Sequence, residues 1–205
     1  MAMSIPPCLK QLIGDVPEQF FADAFRILKI NEMPVFKKFC AKTGSKDICK
    51  SFLLSMFGAD KATVQLVYAK IEGVLLAGGC MPYVGIAFNL IDACFCFILG
   101  NWLGFVVAIL SCFPIPGFKV AGKGLEKLLI EVVGKIPIDK IISEFIKLLR
   151  KRVSLLKNCV GKDPYKEIAD GIMKHVDGNT DNPFSPFGQI ISELNKVIEQ
   201  FGPKL

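Results

Sequence analysis

A chain of 205 residues with 52% apolar side chains has the length for one large domain or two small ones and can bury a sizeable core. Its charge of +6 is carried without interleaved aromatics, which speaks against a nucleic-acid platform. Eight cysteines, one histidine and no Cys-x-x-Cys pair exclude the usual zinc spacings, so neither metal nor cofactor is expected.

Helices follow one another from the N-terminus. Residues 17–30 set Phe21, Phe25 and Leu28 on one face, with Pro17 suited to a first turn. A second helix covers 33–42. Ser45 is placed to cap a third over 46–57, which stops at Gly58. Asp60 then caps a longer helix, in which Val64, Val67, Tyr68, Ile71, Val74 and Leu75 recur at helical spacing up to Gly78-Gly79. No strand-like alternation of useful length occurs, so the expected fold is all-α.

Residues 71–118 contain no Lys or Arg and only two acids, Glu72 and Asp92, and Lys70 and Lys119 border them. Such a block is buried either in a protein interior or in lipid. It is broken at Pro82, at the Gly100-Asn101 turn and at Pro114 and Pro116. Its longer arm, 83–99, gives about one spanning length at most, and 102–113 is shorter still, where a bilayer-crossing helix wants roughly 20 apolar residues. A buried helical hairpin over 82–113 is the expectation, wrapped by amphipathic helices from 17–77 and 119–201. The chain then divides into basic N-terminal helices (1–70), an apolar hairpin (71–118) and C-terminal amphipathic helices (119–205) within one globule.

Beyond Gly117 the pattern is amphipathic. Leu125, Leu128, Leu129 and Val132 form one stripe. A helix from Pro137 gathers Ile138, Ile141, Ile142, Phe145, Leu148, Leu149, Val153 and Leu156. Lys147, Arg150, Lys151 and Lys157 lie mostly opposite, a basic face that is either simply solvated or suited to anionic lipid. Further helices are expected from Asp163-Pro164 to about Val176 and over 189–201.

Catalytic patterns are missing. His175 has no Gly-flanked serine to serve, and the Asp177, Asn179, Asp181 loop has Asn182 and Gly188 where a calcium loop needs Gly and Glu. Gly122-Lys123-Gly124 lacks the strand and spacing of a phosphate loop. No enzyme class and no catalytic residue is indicated. The N-terminus shows no basic region followed by an apolar run, so export through a dedicated machine is the expectation for a chain made in the cytoplasm.

The run from Pro82 and Gly85 through Asp92, the turn Gly100-Asn101-Trp102, Ser111 and the close Ile115-Pro116-Gly117, with Lys119 and Lys123 beyond, resembles the hydrophobic pre-toxin module of bacterial polymorphic toxins. The resemblance covers about one fifth of the chain. The family usually places an aspartate soon after the close, where Phe118 and Lys119 stand here, and no nuclease, deaminase or protease pattern follows. The resemblance implies a secreted bacterial effector. The layout is similar, as an analogy, to the pore-forming domains of colicins. The implied action is non-enzymatic, on the anionic membrane lipids of a target cell. A secretion-machine component, chaperone or immunity protein is an implied partner. The alternative is a cargo or adaptor of an injection machine whose apolar segment is only core. A lone carboxylate at Asp92 in an apolar helix would make insertion pH-sensitive.

Overall fold

The computed structural model describes residues 3–79 and 84–112, and from the C-terminal part residues 131, 132, 134–137, 139–141, 143, 144 and 147. Regular structure among them is entirely helical, which makes the fold all-α as the periodicity indicates.

The first helix, α1 (Pro7–Asp15), was not anticipated. Pro7 opens it with a preset φ, and Leu9, Leu12 and Ile13 are buried at helical spacing. Helix α2 (Glu18–Ile27) buries Phe21, Ala24 and Phe25. It ends three residues sooner than the periodicity suggests, because Lys29 turns left-handed at φ 59° and starts a 3-10 turn, Ile30–Glu32. Helix α3 (Pro34–Lys42) follows.

Helix α4 (Ile48–Ser55) corrects one expectation. Ser45 does not cap it. Its Oγ accepts a hydrogen bond from Ser51 Oγ at 2.9 Å instead. The free N–H groups of the first turn go to a distant acid. Cys49 N donates to Glu18 Oε1 at 2.6 Å and Lys50 N to Glu18 Oε2 at 3.2 Å. Lys50 Nζ also donates to Gly14 O at 2.9 Å, so the end of α1 and the start of α2 are both tied to the start of α4.

After a 3-10 turn over Met56–Gly58, Asp60 caps α5 (Lys61–Gly78) in the expected manner. Its Oδ1 accepts from Thr63 N at 2.8 Å and its Oδ2 from Thr63 Oγ1 at 2.7 Å. These bonds to the charged form hold the Asp60 carboxyl below its ordinary range. Val64, Val67, Ile71 and Leu75 face inward, while Val74, expected beside them, is 41% exposed.

Helices α6 (Gly85–Ile98) and α7 (Trp102–Leu110) form the apolar hairpin, and its arms begin and end within three residues of the boundaries read from the sequence. Every residue of α6 is buried except Asp92, which is half-buried. It packs against α2, α5, α7 and the turn at 56–58, so it is the central element of the described fold. Two edge-to-face aromatic groups flank it. Phe25, Phe36, Phe39 and Phe52 join α2, α3 and α4. Phe97 meets Trp102 and Phe105 at 5.3 Å, sealing the hairpin's turn end. Val132 and Ile141 also belong to the core, so part of 131–147 packs on it.

Candidate functional site

The hairpin is the candidate site, because it concentrates the chain's apolar surface around a few polar groups. At 1.5 Å per residue α6 is about 21 Å long and α7 about 14 Å. No helix among the described residues is long and apolar enough to cross a membrane.

The turn is built as the Gly-Asn pair suggests. Gly100 adopts φ 74°, a left-handed conformation that costs glycine nothing. Asn101 N donates to Cys96 O at 2.8 Å and Gly100 N to Phe97 O at 3.2 Å, closing the end of α6. Asn101 then caps α7, accepting from Gly104 N at 3.0 Å. A Cβ at residue 104 would come within 2.7 Å of both Asn101 Nδ2 and Cys96 Sγ, so glycine is what lets this cap close.

Four polar side chains inside the hairpin have internal partners. Asn89, 3% exposed, donates from Nδ2 to Ser111 O at 3.1 Å, which links the two arms. Ser111 Oγ donates to Val107 O at 2.7 Å. Asp92 Oδ1 accepts from the Tyr68 hydroxyl of α5 at 2.8 Å and from Cys96 Sγ at 3.5 Å. The Tyr68 ring lies parallel to Phe95 with centroids 5.7 Å apart, so ring and hydroxyl together fasten α5 onto α6.

Burial keeps the phenol and the thiols of this cluster protonated. Desolvation, then the neighbouring Asp92 and Cys96, push the Tyr68 phenol far above its ordinary range. Desolvation first and Asp92 second raise the Cys96 thiol, and desolvation with Cys112 and Cys96 nearby raises Cys94. Thiols held in this way are not nucleophiles. No group of three or more His, Cys, Asp or Glu among the described residues could hold a metal ion.

Of the residues singled out from the sequence, Asp92, Gly100, Asn101 and Trp102 lie in or beside the hairpin's turn-side half. Trp102 is half-buried, with Lys135 Nζ 5.5 Å from its ring centroid. Pro82, Pro114, Pro116, Gly117, Arg150, Lys151, Lys157 and His175 lie outside the described residues. Lys147 is exposed and ion-paired with Glu144 at 3.0 Å, so its charge is partly neutralised. Tyr68 and Cys96 were not anticipated. Tyr68 at helical spacing was read as core, and the signal that it faces an acid is a contact between residues 24 apart in sequence. Comparison with known protein families, with curated proteins and with solved structures finds no match.

Proposed function

We propose that the protein is a non-enzymatic bacterial effector that acts on anionic membranes by releasing its apolar hairpin, 82–113. One observation carries the reading. Helix α6 is buried at every residue but Asp92, and it is stored under amphipathic helices with that single acid held by Tyr68. The pre-toxin resemblance of the same segment supports delivery by a secretion machine and an immunity protein in the producing cell. Arms of about 21 and 14 Å against a hydrocarbon core of about 30 Å fit a wedge within one leaflet better than a spanning pore.

Arm length also favours a second reading, in which the hairpin is plain core and the chain is a cargo or adaptor of an injection machine. The internal satisfaction of Asn89 and Ser111 fits it equally.

Leakage of dye from anionic vesicles, at acidic and neutral pH, separates the two. The membrane reading expects leakage, and expects Asp92→Lys to abolish it. Vesicles that stay sealed at every pH, with Asp92→Lys as toxic in cells as the wild type, would overturn it. In either case His175→Ala with Asp177→Asn leaves toxicity unchanged, since no nucleophile or metal partner accompanies that histidine in the sequence.

A further inference from the structure

We propose that the outer face of α3 is the surface by which the protein first docks on a bilayer, its occupant being an anionic phospholipid headgroup layer; the inference rests on the membrane reading above. The exposed residues of α3 are Pro34, Lys37, Lys38, Ala41 and Lys42, which form one stripe of the helix. Its inward residues are Phe36, buried, and Val35, Phe39 and Cys40, half-buried. Lys46, exposed in the following loop, continues the charge.

Between Met33 and Lys46 there is no acid, so four positive charges stand in fourteen residues. None of the four is in an ion pair; among the described residues the ion pairs are Arg26 with Asp23 and Lys147 with Glu144. Lys50, by contrast, is committed to Gly14 O. Lys37 and Lys42 are five steps apart along the helix, about 7.5 Å, with Lys38 between them, which is within one screening length at moderate salt, so the three act on a charged surface together.

The chemistry of the face selects the partner. It holds lysines without arginine, so it offers point charges rather than the bidentate forks that grip individual phosphates. Its phenylalanines, Phe36 buried and Phe39 half-buried, pack edge-on against Phe52 rather than standing free among the lysines as a base-stacking platform would need. A diffuse negative plane is what such a surface fits. Helix α3 packs on α4, on the turn at 30–32 and, through Phe36, on Phe25 of α2, while its lysines are exposed, so their charges can be changed without replacing a buried residue.

The test is co-sedimentation of the full chain with vesicles of phosphatidylserine and phosphatidylcholine, or of phosphatidylcholine alone. Wild type binds the anionic vesicles only, and the binding falls as salt rises from about 0.05 to about 0.5 M. Lys37→Gln, Lys38→Gln and Lys42→Gln together weaken it about a hundredfold, at about fivefold per lysine. The matching Glu triple weakens it further, and the Gln set decides alone should the Glu set misfold by circular dichroism. A folded Gln triple that binds as wild type does overturns this face and leaves the hairpin reading standing. Binding that the triple abolishes, with no leakage from the wild type, keeps the face and removes the hairpin reading. Wild type that binds a single-stranded RNA oligomer more tightly than anionic vesicles overturns the proposal in favour of a nucleic-acid partner.

Discussion

Tyr68 joins α5 to the hairpin with both ends of its side chain. Its hydroxyl gives Asp92 a short hydrogen bond and its ring covers Phe95, which adds a polar tie to the apolar packing of α5 on the hairpin. Tyr68→Phe keeps the ring and removes the donor. A half-buried carboxylate then loses a bond to its charged form, which costs roughly 1.5–3 kcal/mol in stability. The expected result is a lower urea midpoint with an unchanged slope, since the fold and the surface exposed on unfolding remain the same. If Asp92 also holds the hairpin back, the variant releases dye from anionic vesicles faster than the wild type. An unchanged midpoint would show that Asp92 is held adequately by its other contacts.

At the scale of elements, the sequence is most legible where the determinant is local. Asp60 and Thr63 are three residues apart, and the cap they form is the one their spacing suggests. Gly100-Asn101 likewise carries its turn in two residues. What escaped was non-local or short. Helix α1 has only nine residues, and its apolar positions at 9, 12 and 13 were the available signal. The N-terminus of α4 misled because Ser45 is a good capping residue, whereas Glu18, thirty-one residues before Cys49, does the capping. The two assignments are separable by substitution. Glu18→Ala leaves two N–H groups without their acceptor and costs about 1–2 kcal/mol, whereas Ser45→Ala stays within about 0.5 kcal/mol. Thermal or urea unfolding of the two variants gives the comparison, and equal losses would return the cap to Ser45. The site itself was half legible. Its backbone turn was read correctly, but the Tyr68–Asp92 bridge depends on how α5 lies on α6, which no spacing encodes. Glycine records that packing without announcing it, since a Cβ at Gly78 would run into the Phe88 ring and one at Gly85 would reach 2.8 Å from Gly79 O.

At the scale of the molecule, the thiols report how firmly the hairpin is stored. Cys8 and Cys40 are half-buried, whereas Cys49, Cys94, Cys96 and Cys112 are buried. Desolvation, with Glu18 second, pushes the Cys49 thiol from 9.0 to about 12, and desolvation raises Cys94 and Cys96 as well. The folded chain therefore keeps protons that the unfolded chain releases once the pH passes 9.0. Where the unfolded state binds fewer protons, stability falls as pH rises. The contribution of these thiols is thus complete below pH 9.0 and declines toward pH 12. Urea unfolding at a series of alkaline pH values should show the midpoint flat up to that point and falling beyond it. Replacing Cys49 with Ala or Ser should flatten the fall in part, and replacing Cys94 as well should flatten it further. A midpoint that drops equally in the variants would assign alkaline loss to lysine or tyrosine titration instead. Labelling with a thiol reagent near neutral pH, mapped by peptide, completes the argument. Among the described thiols Cys8 and Cys40 react first in the native protein, and early reaction at Cys94, Cys96 and Cys112 would mean that the hairpin opens to water.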